Sequence, residues 1–239
     1  MTGLILAAGK GTRLFPGRDV HVSKPLVRIA DKPLISYSLD NLGMIGVTKA
    51  VITVGDNCDD ICRCLGDEYN GIQLTYAVQE RPLGLVNAIV SARNAIDDDI
   101  ILQLSDEILL NFFPEKADPT VLLNYDFAVG YTEDLPEKIK RNFSIETDAC
   151  GRVLSCVEKP DAPPNLMKGI GFCFFSYECM RLLFDVYDGN ANFPKELCDF
   201  INMLSDKGKF GRAVRFADEE ININTPGDLE YAKKRLECL

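Results

Sequence analysis

Glycines and cations follow the first apolar segment of the chain. Residues 2–7 are mostly apolar and predict a buried strand, and the turn Gly9-Lys10-Gly11-Thr12-Arg13 comes directly after it. A strand that ends in glycines presents bare backbone N–H groups at its carboxyl end, where they can bind phosphate oxygens. Arg13 and Lys24 add positive charge close by. The pattern predicts a site for a nucleoside triphosphate.

Two better-known phosphate-binding patterns do not match this turn. A Walker loop requires Gly-Lys-Ser/Thr at its end, but here Gly9-Lys10 is followed by Gly11. A dinucleotide fingerprint requires a third glycine three residues after the second, and that position is Leu14. An ordinary strand-to-loop turn remains the alternative, and the neighbouring cations argue against it.

Composition limits the class of protein. The chain has 239 residues, 46% of them apolar, which suits a single α/β domain over 1–239. A net charge of −10 argues against a nucleic-acid partner, although the first 30 residues are locally basic. There is neither an apolar run of about 18 residues nor a basic leader, so we expect no membrane association and a cytoplasmic location.

Apolar periodicity predicts alternating strands and helices in the first half of the chain. Such alternation indicates a mostly parallel sheet with helices on both faces, which binds ligands beyond the carboxyl ends of its strands. The glycine turn and Ser105-Asp106 should therefore meet at one edge. The predicted strands are 2–7, 50–54, 72–78 and 99–104, and the predicted helices are 33–44, 58–65 and 84–95.

The second half of the chain is richer in strands. A turn at Asp148-Ala149-Cys150-Gly151 separates two of them. The last helix opens at Thr225-Pro226, where Thr is a good cap and Pro a good first residue. The predicted strands are 126–131, 143–147, 152–158 and 168–175, and the predicted helices are 177–187, 194–206 and 226–237.

Short motifs follow one another over nearly the whole chain. They are Leu6-Ala7-Ala8-Gly9-Lys10-Gly11-Thr12-Arg13-Leu14, Lys24-Pro25-Leu26, Gln79-Glu80-Arg81-Pro82-Leu83-Gly84-Leu85, Asp106, Val157-Glu158-Lys159-Pro160, Gly169-Ile170-Gly171-Phe172 and Asn222-Ile223-Asn224-Thr225-Pro226. In this order they resemble the sugar nucleotidyltransferases, or nucleoside-diphosphate-sugar pyrophosphorylases. The similarity is to catalytic domains of the glucose-1-phosphate thymidylyltransferase type. Each motif is weak by itself, and the ordered set is specific.

The resemblance implies a fold and a reaction. The fold would be a Rossmann-like three-layer α/β nucleotidyltransferase fold with a mostly parallel mixed central sheet. In the reaction, an oxygen of a sugar 1-phosphate attacks the α-phosphorus of a nucleoside triphosphate, with dTTP or UTP favoured, and pyrophosphate leaves. Because two polyanions meet, the protein supplies position and positive charge more than covalent chemistry.

The resemblance also implies a role for each matching residue. Arg13 would bind the β- and γ-phosphates and Lys24 the α-phosphate, which makes them the catalytic candidates. The cofactor would be Mg²⁺, held by Asp106 and the neutral amide of Asn224. The nucleotide-binding candidates are Leu6, Ala7, Ala8, Gly9, Lys10, Gly11, Thr12, Gln79 and Gly84. The sugar-phosphate candidates are Glu158, Lys159 and Gly171.

Two positions differ from the pattern that many members show. Glu107 follows Asp106, and it either adds charge beside the metal or points away as the cap of a helix. Lys195 stands near the place where thymidylyl-type members carry an arginine, and a lysine lacks the bidentate fork. These differences affect the choice of substrate more than the reaction class.

The sequence leaves two other functions open. One is a cytidylyltransferase that acts on a sugar phosphate or on an alcohol phosphate such as phosphocholine. The other is a non-catalytic sensor of nucleotide sugars with the same fold.

The resemblance also implies how the chain is organised. It implies a nucleotide-binding half at about 1–125 and a sugar-binding half at about 126–239, which together form the catalytic domain alone. Members of this kind often form homo-oligomers.

Overall fold

The computed structural model describes residues 1–9, 11, 13–14, 23–187, 193 and 195–237. Lys10 and Thr12, two of the predicted nucleotide-binding residues, lie outside these ranges. Within the described ranges, no helix combines the length and the apolar character that crossing a membrane would need.

The observed strands follow the sequence periodicity closely. The strands predicted at 72–78 and 143–147 have the predicted ends, and the one predicted at 50–54 begins one residue earlier. In chain order the strands are β1 Thr2–Leu6, β2 Arg28–Ile29, β3 Lys32–Pro33, β4 Lys49–Val54, β5 Glu68–Tyr69, β6 Ile72–Val78, β7 Ile100–Leu104, β8 Glu107–Phe112, β9 Phe127–Glu133, β10 Phe143–Thr147, β11 Val153–Glu158, β12 Met167–Phe175, β13 Gly211–Arg215 and β14 Ala217–Asn222.

The predicted helices are also present. The helix expected over 84–95 is shorter, because it ends at Ser91 and a separate 3-10 turn, Arg93–Ala95, follows. The helices are α1 Leu34–Met44, α2 Cys58–Leu65, α3 Leu85–Ser91, α4 Pro119–Leu122, α5 Pro136–Ile139, α6 Tyr177–Val186, α7 Leu197–Asp206 and α8 Pro226–Glu237.

Parallel pairing around β1 builds the edge of the sheet on which the site lies. Strand β1 pairs in parallel with β4 on one side and β7 on the other, and β6 continues the sheet beyond β4. Leu6 and Leu104 are register partners at the carboxyl ends, where the Ser105 N–H donates to the Leu6 carbonyl at 3.2 Å. The expected meeting of the glycine turn and Ser105-Asp106 at one edge is therefore confirmed.

The second half of the chain adds antiparallel strands to the same sheet. Strand β12 pairs with β7, β9 and β10, and its register with β9 breaks between Gly169 and Cys173. Strand β11 continues the sheet beyond β10, and β13 joins β9 in parallel. The predicted α/β class with a mixed central sheet is confirmed.

Helices cover both faces of the sheet, because β1 alternates its side chains between two cores. Ile5 packs in one core with Leu39 of α1, whereas Leu4 packs in the other with Ile89 of α3 and Phe200 of α7. Leu4 and Ile5 have no exposed surface, as expected for a parallel strand that is covered on both sides. This arrangement gives the three predicted layers.

A small second sheet was not predicted. Strands β8 and β14 pair antiparallel with Asn222 opposite Glu107, and the Ile223 N–H donates to the Asp106 carbonyl at 2.9 Å. Ile108 and Ile221 form a third core with Ala232 of α8. The sequence did not indicate these strands, because β8 follows β7 without a glycine or proline and β14 carries three consecutive acids.

A buried ion cluster joins the two sheets. Lys168 on β12 is 4% exposed, and its Nζ lies 2.7 Å from Asp134 Oδ2 and 3.0 Å from Glu220 Oε2. Burial alone would lower the pKa of Lys168, but Glu220 and Asp134 outweigh it and raise that pKa above its usual value. The lysine therefore remains charged, and it compensates two acids that have little access to water.

We predict that Lys168→Met lowers the free energy of unfolding by about 3–5 kcal/mol, because it leaves buried carboxylates without their cation. Lys138→Met is the matched control, since its Nζ pairs with the same Asp134 at 3.2 Å but its side chain is 54% exposed. The control should cost less than about 1 kcal/mol. Urea unfolding of both variants measures the difference, and equal effects would contradict the prediction.

Candidate active site

A cavity of about 430 Å³ opens at the carboxyl ends of β1 and β7. Its walls come from the glycine turn, the 3-10 turn Lys24–Leu26, the segment 79–88 and the loops before β8 and after β14. The size is typical of small-molecule sites. Predicted site residues that line it are Leu6, Ala8, Gly9, Gly11, Arg13, Lys24, Gln79, Gly84, Asp106 and Asn224.

Other predicted residues do not line this cavity. Ala7 is buried and donates its N–H to Thr53 at 2.8 Å, and Glu158, Lys159 and Gly171 lie elsewhere. Sequence reasoning missed several wall residues, although Ala88 lies one helical turn after Gly84 and so faces the same way. The missed wall residues are Pro25, Pro82, Leu85, Ala88 and Leu104, whereas Ser105 was expected at this edge of the sheet.

Close packing against Lys24 requires glycine at position 11. Gly11 has φ +61°, and a methyl group on it would lie 2.6 Å from the Cβ of Lys24. A larger residue would be strained by that φ and would push Lys24 aside. The Leu14 N–H donates to the Gly11 carbonyl at 3.0 Å, and the exposed Arg13 stands at the cavity wall.

The ammonium group of Lys24 lies between two oxygens. Its Nζ is 2.5 Å from Asp106 Oδ2 and 3.0 Å from Asn224 Oδ1, and the residue is 8% exposed. A carboxylate oxygen and an amide oxygen thus converge on one positive charge. This donor set also suits Mg²⁺, which takes few protein ligands when phosphates and water supply the rest.

Hydrogen bonds determine which way the Asn224 amide points. Its Nδ2 donates to Asn222 Oδ1 at 2.6 Å, so its Oδ1 faces Lys24. The Asn224 and Thr225 N–H groups both donate to Asp228 Oδ2, at 3.0 and 2.7 Å. Asp228 lies in the first turn of α8, and this carboxylate ties the end of β14 to the helix.

The segment from Gln79 to Gly84 packs against the part of the chain that precedes α7. Gly84 has φ +106°, and a methyl group on it would lie 2.8 Å from the Cβ and carbonyl oxygen of Lys195. The Val86 N–H donates to that same carbonyl at 3.0 Å. One wall of the cavity is therefore held by a residue from the second half of the chain.

Glu107 is turned away from the cavity and opens a strand. The alternative that it caps a helix is wrong, because Glu107 is the first residue of β8. Its Oε2 accepts the Gly171 N–H at 2.7 Å, where β12 departs from its register with β9. Burial is the largest cause that raises the pKa of the Glu107 carboxyl well above its usual value, and the negative charges of Glu220 and Asp106 raise it further.

Glu158 and Lys159 lie at the end of β11. Their side chains form an ion pair at 3.0 Å, and Lys159 has φ +46°, a conformation uncommon outside glycine. The nearby Glu196 has a raised pKa, because it is partly buried and lies close to the charge of Glu158. Glu158 and Glu196 place hydrogen-bond acceptors next to one cation, as a polyhydroxylated phosphate would require.

Comparison with known proteins identifies related sequences. A family model described as nucleotidyl transferase matches residues 2–219. The UTP–glucose-1-phosphate uridylyltransferase AglF of Haloferax volcanii is 29% identical over 99% of this chain and 97% of its own length. A glucose-1-phosphate thymidylyltransferase of Streptomyces antibioticus is 33% identical over 87% of this chain. The chain spans only 58% of that second relative.

Solved structures share the fold. A UDP-glucose pyrophosphorylase complexed with UDP-glucose superimposes with a TM-score of 0.84 over 99% of this chain and 98% of its own, at 20% identity. The apo form of a UDP-glucose pyrophosphorylase gives a TM-score of 0.80 over the same shares of the two chains, also at 20% identity. At these identities the likeness concerns the arrangement of strands and helices.

We predict that Gly84→Ala destabilises the protein by about 2 kcal/mol or more, because it combines an unfavourable φ with a collision against Lys195. Gly46→Ala is the control, since Gly46 has φ +76° but open space around its Cα. That control should cost about 1 kcal/mol. Thermal unfolding of the two variants measures the difference, and an equally mild effect at Gly84 would refute the packing argument.

Proposed function

Because the chain belongs to the nucleotidyl transferase family, we propose that it transfers a uridylyl or thymidylyl group from UTP or dTTP to a sugar 1-phosphate. The products are a nucleotide sugar and pyrophosphate. The resemblance to sugar nucleotidyltransferases and the assignment as a nucleotidyltransferase enzyme are confirmed by the family match and the relatives. The base, the sugar, the metal and the residue roles are proposals.

The observation that carries the proposal is the meeting of Arg13, Lys24 and Asp106 at one cavity. Two polyanions must approach each other in this reaction, and the leaving pyrophosphate develops further negative charge. Fixed cations at the end of a strand lower both electrostatic costs.

Each cation has a distinct task in the proposed mechanism. Arg13 is exposed at the cavity wall and would bind the β- and γ-phosphates, which stabilises pyrophosphate as it leaves. Lys24 lies beside Asp106 and Asn224 at the cavity wall and would bring the α-phosphate and the sugar phosphate together. The attack then proceeds in line, and the nucleotidyl group moves to the sugar phosphate oxygen.

Asp106 and Asn224 would hold Mg²⁺. Their side-chain oxygens converge on the Lys24 ammonium, so they lie close enough to bind one ion together, and the ammonium would turn from them to the phosphates when Mg²⁺ takes its place. Bound Mg²⁺ would supply positive charge to the phosphate oxygens. The amide is a neutral ligand, so the protein alone would bind the ion weakly and the nucleotide phosphates would complete the site.

The sugar is assigned to the second half of the chain. Glu158 and Lys159 would bind the hydroxyls and the phosphate of the acceptor, and Gly171, whose N–H is donated to Glu107, would support this side from behind Leu104. A methyl group on Gly171 would lie 2.3 Å from Leu104, so this residue stands directly behind the cavity wall. We therefore retain a nucleotide half at about 1–125 and a sugar half at about 126–239.

The test of this function is pyrophosphate release with Mg²⁺ across four nucleoside triphosphates and several sugar 1-phosphates. Glucose 1-phosphate comes first, because the names of the relatives specify it. Release with UTP or dTTP supports the proposal. A preference for CTP would replace it with a cytidylyltransferase, and binding of nucleotide sugars without any turnover would replace it with a sensor.

We predict that Arg13→Ala lowers kcat/KM at least about tenfold, because it removes a cation from the developing pyrophosphate. Arg28→Ala provides the control, since Arg28 is also exposed but does not line the cavity and donates to the Asp31 carbonyl. Initial rates of pyrophosphate release measure both. An unchanged rate for Arg13→Ala would refute its assignment.

We predict that Asp106→Asn raises the Mg²⁺ concentration for half-maximal activity and lowers kcat/KM at least about tenfold, because the charged ligand becomes neutral. Chelation with EDTA should abolish wild-type turnover, and added Mg²⁺ should restore it. Asp218→Asn is the control, because Asp218 pairs with Arg215 away from the cavity wall. An identical Mg²⁺ dependence of Asp106→Asn and wild type would contradict the metal assignment.

A further inference from the structure

A chain of side-chain hydrogen bonds runs from the cavity wall to the end of α6. Gln79 Nε2 donates to the Gly84 carbonyl at 3.1 Å and to Asn87 Oδ1 at 2.8 Å. Asn87 Nδ2 then donates to the Tyr187 hydroxyl at 2.7 Å. Of these residues, Gln79 and Gly84 line the cavity, whereas Asn87 and Tyr187 line a second cavity.

The partners determine how the Gln79 amide is oriented. A backbone carbonyl can only accept, so the side of the amide that faces Gly84 must be the NH₂ group. That group has two hydrogens, and the second is donated to Asn87. Both donors are therefore used within the protein. What Gln79 has left for a ligand is its Oε1, which has no hydrogen-bond partner among the described residues.

We propose that Asn87, itself held by Tyr187, is a positioning residue that keeps the Gln79 acceptor oxygen turned towards the base and so favours uracil and thymine over cytosine. The inference deepens the proposed function and rests on it, because it takes Gln79 as the side chain that contacts the base. Asn87 acts through Gln79 and does not touch the nucleotide.

Base chemistry explains the direction of the preference. Uracil and thymine carry a hydrogen on N3, so they donate to an acceptor at that edge. Cytosine has a lone pair on N3 and would meet the Gln79 oxygen with like partial charge. A site built around one hydrogen-bond pattern rejects a ligand that leaves its polar groups unpaired. Without Asn87, only the longer bond to the Gly84 carbonyl would hold the Gln79 NH₂ group, so the amide would turn over more often and its NH₂ group could then serve cytosine.

The far end of the chain of bonds is fixed by other contacts. The Tyr187 N–H donates to the Leu183 carbonyl at 3.0 Å, which ties it to the last turn of α6. Its ring packs edge-on against Phe193, with the ring centroids 4.9 Å apart. The Tyr187 hydroxyl accepts from Asn87 Nδ2, and this leaves Asn87 Oδ1 for Gln79. Because a hydroxyl can both donate and accept, the Gln79 NH₂ group determines which end of the Asn87 amide faces Gln79, and the Tyr187 hydroxyl holds Asn87 in place.

The test compares Asn87→Leu with Asn87→Asp. Leucine removes the acceptor for Gln79 Nε2, whereas aspartate keeps an acceptor at the same place. Calorimetric titration with UMP and with CMP should show that Asn87→Leu reduces the preference for UMP by about five- to tenfold, the value of one hydrogen bond. Asn87→Asp should restore most of it. In turnover, Asn87→Leu should raise KM for UTP more than it changes kcat.

Two further variants separate positioning from packing. Tyr187→Phe keeps the ring against Phe193 but removes the hydroxyl, so it should also lower the preference for UMP over CMP. Tyr177→Phe at the first residue of α6 and Asn94→Leu after α3 are the controls, because the side chains of Tyr177 and Asn94 make no hydrogen bond within the described residues. Both controls should keep the wild-type preference.

The outcomes separate this inference from the proposed function. An unchanged UMP/CMP ratio in Asn87→Leu, or an equal loss in Asn87→Asp, overturns the positioning role even in an active enzyme. Wild type that binds UMP and CMP equally also overturns it. Wild type that prefers UMP but releases no pyrophosphate with any nucleoside triphosphate refutes the transferase activity, and the binding ratios of the variants then still decide the role of Asn87.

Discussion

One ammonium group holds together segments that are far apart in the chain. Lys24 Nζ bonds to Asp106 and Asn224, which are 82 and 200 positions away. A buried lysine is stable only when oxygens surround it, so the ends of β7 and β14 must lie where they do. The cavity, the proposed metal site and the position of Arg13 all follow from this constraint, because the glycine turn packs on the same lysine.

A second set of buried polar groups supports the first. Glu107 accepts the Gly171 N–H, and Lys168 bonds to Glu220 and Asp134, so the main sheet and the β8–β14 sheet are joined by charges as well as by apolar contacts. Burial raises the pKa of Glu107 and of Glu220. Asp106 is the direct neighbour of Glu107 in the chain. The position of Asp106 therefore depends on Glu107, whose carboxyl group lies on the opposite side of the backbone.

The wall proposed to bind the base is also physically connected to the residues proposed to bind the sugar, which lie outside the cavity. The Lys195 carbonyl accepts from Val86, and Lys195 packs where a side chain on Gly84 would lie. Glu196 and Glu158 lie close enough for the negative charge of one to affect the other. In the proposed reaction, a substitution in the segment before α7 would therefore affect the binding of both substrates. The hydrogen-bond chain from Gln79 to Tyr187 gives a second connection between the same two halves.

The sequence by itself determined the elements with strong periodicity and the order of the motifs. Apolar alternation predicted β4, β6 and β10 to within a residue, and the glycine turn with its cations pointed to a phosphate site. The tertiary structure decided what short, charged segments do. Strand β8 follows β7 without a glycine or proline, and β14 carries three consecutive acids, so local patterns did not indicate either strand. Their pairing brings Asp106 and Asn224 to Lys24. The burial of Glu107 depends on Gly171, which is distant in sequence. The orientation of the Gln79 amide depends in part on Asn87, which lies outside the recognised motifs. Local sequence patterns do not encode such contacts.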